Sequence, residues 1–167
     1  MFIRPRCDDD LSACGDVLRE VHALDGYPRY LPGDLTEFLE TPQLHGAWVA
    51  EADGAITGHV ALVPRSSQRV MDIAAAALGL SESSLGVVAR LFVAHQARRN
   101  GTGAALLEAA AADARARGLF PVLDVVRDAH AAIALYERLG WTRAGQTTVH
   151  FSNGHSLDEY VYVAPAE

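Results

Sequence analysis

A mixed α/β layer fold is predicted, on three observations. Apolar runs at 47–52 and 56–63 flank Asp53-Gly54, a residue pair that favours a tight hairpin. An apolar strand over Val87–Val93 feeds a glycine-containing turn and then an alanine-rich helix. A second strand–helix pair follows from Val122, so two crossovers succeed the hairpin and imply a partly parallel sheet. The expected order is β, α, α, β, β, an inserted helix, β, α, β, α, β, β.

The 167 residues suit one domain over 1–167, and at 50% hydrophobic residues a sizeable core is expected. The formal net charge of −7 argues against a nucleic-acid binder, which needs a basic face to neutralise phosphates. It favours a cationic small-molecule substrate through long-range steering. Cys7 and Cys14 match neither zinc spacing nor a disulfide framework, so no metal site is expected. No apolar run reaches the roughly 18 residues of a membrane span, and no apolar segment follows Arg4 and Arg6 as a secretory signal would require. The expected location is the cytoplasm.

Phe2–Arg4 reads as a short strand stopped by Pro5. Asp8, Asp9 and Asp10 supply N-cap candidates and first-turn acids. Leu11, Cys14, Val17, Leu18 and Val21 then recur at three and four, marking an amphipathic helix that ends near Leu24. The loop from Asp25 to Gly33 is either a rigid connector with its tyrosines on the core or a wall of a substrate pocket. Asp34 and Glu37 form a capping-box pattern before a short helix, Leu35–Leu39. His59, inside the second hairpin strand, is expected to be buried and hydrogen-bonded. Val70–Leu80 reads as a helix within an insertion, 65–86, too short to hold its own core. Beyond the crossovers, Thr147–Phe151 and Leu157–Val163 form a hairpin across Asn153-Gly154.

The central stretch runs from Leu91 to Ala104. The helix that follows, Thr102–Arg117, puts Leu106, Leu107, Ala110 and Ala114 on one face and is stopped by Gly118. Between strand and helix lie Arg98, Arg99, Asn100, Gly101, Thr102 and Gly103. The first turn of a helix has N–H groups without intrahelical partners and partial positive charge, so it accepts a diphosphate if no side chain blocks the approach. Glycines remove the Cβ there, and the arginines add forked donors. A dinucleotide-type glycine pattern would need glycine where Leu106 stands, and no Walker-type lysine is present.

In the next helix region, Asp128 is the expected N-cap. Ala132, Ile133, Tyr136 and either Leu135 or Leu139 lie on the inner side, and Gly140 closes the helix before Trp141.

Two motifs resemble those of the GNAT superfamily of N-acetyltransferases. The pattern [QR]-x-x-G-x-[GA] is filled by Arg98, Gly101 and Gly103 directly after the apolar strand. The pattern A-x-x-L-Y-x-x-x-G-[FW] is filled by Ala132, Leu135, Tyr136, Gly140 and Trp141, in the expected order. The resemblance implies a mixed central sheet whose fourth and fifth strands splay apart, with helices on both faces. It implies acetyl-CoA as cofactor, its pantetheine arm on the backbone of Leu91, Phe92 and Val93 and its diphosphate on Arg98, Arg99, Asn100, Gly101, Thr102, Gly103 and Ala104. It makes Tyr136 a candidate acid for the departing thiolate, alongside a plain core-tyrosine reading. Two departures stand out. Ala129 occupies a position where the family often has asparagine, and His95 is displaced by one from the family's His-Pro pair, with no proline.

The expected reaction is direct attack of a primary amine, of a small molecule or a protein, on the acetyl thioester. Asp124, in a buried strand, is the candidate base, because a buried carboxylate has a shifted proton affinity. A structural hydrogen-bonding role is the other reading, and Glu51, His59 and Glu159 are weaker choices. His22, Asp25, Tyr27 and Glu159 are candidates for the acceptor pocket. The alternative function is a non-catalytic acyl-CoA-binding sensor or interaction module of the same fold. The closing hairpin offers an edge for homodimerisation.

Overall fold

The hairpin turn at Asp53-Gly54 has both residues at positive φ, 52° and 77°, the twist that matches two antiparallel strands. It joins β2 (Gly46–Ala52) to β3 (Ala55–Val63) in the computed structural model, which describes Met1–Glu167. The remaining elements are β1 (Phe2–Pro5), α1 (Leu11–Asp25), α2 (Leu35–Leu39), α3 (Gln68–Leu78), β4 (Leu85–Val93), α4 (Thr102–Ala116), β5 (Phe120–Val126), α5 (His130–Arg138), β6 (Thr142–His150) and β7 (Ser156–Val163). The order is the one the sequence predicts. The seven strands form a mixed sheet in the order β1-β2-β3-β4-β5-β7-β6. β4 and β5 are parallel, paired only from Leu85↔Phe120 to Val87↔Val122, while β4 itself runs on to Val93. The β1–β2, β2–β3, β5–β7 and β6–β7 pairs are antiparallel.

The chain packs as two units, Met1–Val63 with Ala89–Ala110, and Pro64–Val88 with Ala111–Glu167. In the first, α1 and α2 bury Cys14, Leu18, Val21 and Leu39 against Val49 and Phe92. Each large apolar side chain so buried stabilises the fold by about 1.5–3 kcal/mol. The start of α4 lies on the other face of β3: a Cβ on Gly58 would stand 2.8 Å from Leu106 Cδ1 and 3.1 Å from the Phe92 carbonyl. In the second unit, α3 packs on β6 and β7, and a Cβ on Gly145 would meet Ile73 Cγ2 at 2.8 Å. α5 covers the opposite face, with Tyr136 against Tyr162.

Several boundaries differ from expectation, for local reasons. α3 starts earlier, at Gln68, because the Ser67 hydroxyl accepts from Val70 N–H, and it stops at Leu78 because Gly79 takes the left-handed conformation. Asp128 is not the N-cap of α5. Ala129 holds that place without a side-chain cap, and the His130 N–H bonds the Asp128 carbonyl instead. Leu135 is half-buried and Leu139 is exposed, which settles the inner face. β6 begins at Thr142, five residues earlier than its apolar content suggests, because pairing with β7 supplies the backbone partners. Asp8–Asp10 form a short 3-10 turn capped by Cys7. The Asp10 carboxylate takes Cys7 N–H and both amino groups of Arg4, each at 2.8 Å, and that pairing holds it well below the usual carboxylate range.

Candidate functional site

β4 is kinked ahead of its last turn by Arg90, at φ 52°. The kink carbonyl accepts the Nδ1–H of His59 at 2.9 Å. Arg6 donates to the other ring nitrogen, Nε2, at 2.9 Å, so both ring atoms are committed and the tautomer is set. His59 is fully buried and stacks on Phe92 at 5.1 Å. Burial pushes its proton affinity down to about 4, so it is neutral at pH 7 and serves as a strut. Glu51 is bound to Arg4 at 2.8 Å, so neither weaker base candidate in this unit is unengaged. Phe92 is buried, and Leu91 and Val93 are half-buried beside it.

The strand passes into the turn when Ala94 N–H bonds the Thr57 carbonyl at 2.7 Å. Arg99 and Gly101 take positive φ, 65° and 78°. Thr102 is buried and its hydroxyl donates to the Ala97 carbonyl at 3.3 Å, pinning the helix start. The first bond of α4 runs from Ala105 N–H to the Gly101 carbonyl at 3.0 Å. The amides of Thr102, Gly103 and Ala104 precede it and are donors without intrahelical acceptors. Nothing lies within 4 Å of where a Gly101 Cβ would stand, and Arg99 and Asn100 are exposed beside it. This donor set, at the positive end of a helix with open approach, fits a diphosphate.

Arg98 has partners within the chain. Its Nε donates to the Val93 carbonyl at 3.1 Å and its terminal amino group pairs with Asp25. The guanidinium thus ties α1 to the turn, and Asp25, expected in an acceptor pocket, lies beside that turn. His22 donates from Nδ1 to the Pro28 carbonyl at 2.8 Å, and Tyr27 packs near Phe92 with ring centroids 6.4 Å apart. Both hold the 25–33 loop on its own unit, in keeping with the connector reading of its first tyrosine.

In the second unit Tyr136 is buried, its ring 6.3 Å from Trp141 and 6.1 Å from Tyr162. Tyr162 donates to Glu137 at 2.7 Å, and Arg143 lies 3.7 Å over the Tyr160 ring. On the other face stand two of the candidate carboxyls. Asp124 lies opposite Val161 in the β5–β7 ladder and Glu159 opposite Val126, so both point to one side of the sheet. They are hydrogen-bonded to each other, and Ser66 donates to Asp124 Oδ1 at 2.8 Å. Burial and the neighbouring Asp124 charge push the Glu159 carboxyl up to about 9. Thr147, directly opposite Glu159 across β6–β7, is also buried, and its Oγ1 has no hydrogen-bond partner in the chain. Sequence reasoning missed Ser66 and Thr147. Polar residues beside a turn or on a closing strand carry no signal of their own; only the ladder register places them.

The family model of the acetyltransferase (GNAT) family matches residues 15–141, both motifs included. The chain therefore belongs to the GNAT family of acetyltransferases, whose acetyl donor is acetyl-CoA. Solved structures share the fold. An N-acetyltransferase from Staphylococcus aureus Mu50 superposes with a TM-score of 0.73 at 20% identity, over 97% of this chain and 96% of that one. A ribosomal-protein-alanine N-acetyltransferase from Brucella melitensis gives 0.72 at 22% identity, over 99% and 100%. A putative acetyltransferase from Salmonella typhimurium, solved with its cofactor acetyl-CoA, gives 0.72 at 20% identity, over 99% and 94%. No curated protein sequence matches the chain. No helix is long and apolar enough to cross a membrane.

Proposed function

We propose that this protein is an N-acetyltransferase acting on a primary amine of a small molecule or protein, with residues 1–167 working as one catalytic domain. The observation that carries the reading is the β4–turn–α4 junction. Its amides at Thr102, Gly103 and Ala104 precede the first helical bond and sit beside an exposed Arg99, and the junction matches the family's cofactor motif. Those amides, with Arg99, Asn100 and Gly101, would hold the diphosphate, and the backbone of Leu91, Phe92 and Val93 would hold the arm. Bound there, acetyl-CoA supplies an acetyl group activated as a thioester. Backbone N–H groups of β4 would stabilise the charge that develops on the carbonyl oxygen. Asp124, together with the Glu159 carboxyl beside it, would supply the base, and Tyr136 is the candidate acid. The protonated amine of the acceptor would be drawn by the protein's formal net charge of −7.

Thermal unfolding with acetyl-CoA, CoA, ATP and NAD in parallel tests the cofactor. Ligand at about a hundred times its dissociation constant adds about 2.7 kcal/mol, a rise of about 5–10 °C for a domain of this size. Acetyl-CoA and CoA alone should produce it, and Gly103→Asp should abolish it by setting a carboxylate against the phosphates. A rise with ATP or NAD only would overturn the reading. Binding of acetyl-CoA without acetylation of any amine would instead favour the sensor.

A further inference from the structure

The structure assigns Asp124, Glu159 and Thr147 to one site that binds the acceptor's alkylammonium group and takes one proton from it, with Glu159 as the proton acceptor. This rests on the acetyl-transfer reading and adds to it the group that receives the amine. The three side chains come from adjacent strands, β5, β7 and β6. Val126, Glu159 and Thr147 form one cross-strand row, and Asp124 lies in the next row on the same face. Ser66, which leads into α3, fixes one Asp124 oxygen at 2.8 Å. Asp124 is half-buried, and Glu159 and Thr147 are 7% and 9% exposed, so the site is nearly closed on its inner side.

Thr147 points to a ligand. Its hydroxyl is buried with no partner in the chain, a state that costs free energy unless something else supplies the bond. An alkylammonium brings three N–H donors, and the site brings three acceptor groups: the Asp124 carboxylate, the Glu159 carboxylate and the Thr147 oxygen. No cation of the protein faces the carboxyls. Arg65 pairs with Glu82 and Gln68, Arg69 and Asp72 on α3 are exposed, and Arg127 and Arg143 lie over Tyr160 on the opposite face.

The proton step balances. With the ammonium bound, the pair gives its shared proton to solvent and both carboxylates are ionised. One N–H bond of the ammonium then breaks, its electron pair stays on nitrogen, and the proton forms an O–H bond with Glu159. The products are a neutral amine with a free lone pair and a Glu159 carboxyl hydrogen-bonded to the Asp124 carboxylate, the arrangement the protein already holds. Before a cation binds, burial beside Asp124 holds Glu159 at about 9; the bound cation lowers it, and loss of that positive charge as the amine forms lets the carboxyl regain its proton affinity. An isolated exposed glutamate, near 4.3, would be a far poorer acceptor.

The test uses n-butylammonium chloride as probe and tetramethylammonium chloride, which has no N–H donors, as control at equal ionic strength. Wild-type protein should gain thermal stability from the probe and not from the control. Calorimetry in buffers of different ionisation heat should show proton release on binding at pH 7. Thr147→Val keeps the shape and removes only the unpartnered hydroxyl. It should fold as well as wild type yet weaken probe binding about tenfold or more, the scale of a hydrogen bond to a charged group. Glu159→Gln should abolish the proton release. Equal binding by wild type and both variants, or no binding by wild type, overturns the site. Acetyl-CoA stabilisation in the same samples separates the two ideas. If it persists while the probe fails, only the ammonium site falls; if it too is absent, the acetyl-transfer reading falls.

Discussion

Glu159→Gln should flatten the dependence of stability on pH in mild alkali. The carboxyl is 7% exposed and is held at about 9 against an ordinary 4.5. Between those values the folded protein binds one proton that the unfolded chain does not, so stability falls as pH rises, by about 1.4 kcal/mol per pH unit. The window from pH 7 to 8 isolates it. His59, folded near 4 and unfolded near 6.5, adds only about 0.1 kcal/mol there and of opposite sign, since the unfolded ring is mostly neutral above pH 7. Cys14, pushed up to about 11 by burial, weakens the fold only at higher pH. Wild type should therefore lose about 1.4 kcal/mol across the window, or about 3–5 °C in Tm at this chain length. Glutamine keeps the size and cannot ionise, so the variant's Tm should stay level. Asp124→Asn removes the charge but not the burial, so it should reduce the slope without abolishing it. The assay is calorimetric or circular-dichroism melting at pH 7.0, 7.5 and 8.0 at fixed ionic strength. Parallel slopes for wild type and Glu159→Gln would refute the claim that this side chain holds a proton at neutral pH.

Two further predictions concern the reacting groups. Tyr136→Phe should lower kcat about a hundredfold or more with CoA affinity unchanged, as loss of an acid does; undiminished kcat would return Tyr136 to its packing role against Trp141 and Tyr162. Asp25→Asn should tighten CoA binding about two- to fivefold, because it removes a negative charge paired with Arg98 beside the phosphate turn. A raised amine KM with unmoved CoA affinity would place Asp25 in the acceptor pocket instead.

Much of the fold was legible because its signals are local. The Asp53-Gly54 turn, the spacing of Leu11 to Val21 and the apolar run into Gly101 each depend on neighbours in sequence. The start of β6 was not legible: Thr142 to Gln146 carry little apolar content and become strand by pairing with β7. The N-cap of α5 was missed because backbone geometry at Ala129 prevailed over the side-chain preference for Asp128. His59 was read correctly as buried and satisfied, though its two partners, Arg6 and the Arg90 carbonyl, lie 53 and 31 residues away.

By itself the sequence determined the order of elements, the strand–turn–helix junction at 91–104 and the family, since all three are written in short contiguous stretches. Tertiary structure alone decided what the charged side chains do. Arg98, expected to face phosphate, is also bonded to Asp25 and to the Val93 carbonyl. Asp124, the favoured base, and Glu159, a weaker base choice and acceptor-pocket candidate, stand side by side on one face of the sheet, beside a threonine that no motif contains. The physical reason is that a carboxyl's proton affinity depends on burial and on charges within a few ångströms. Those neighbours come from strands far apart in the chain, brought into one row only by the register of the sheet.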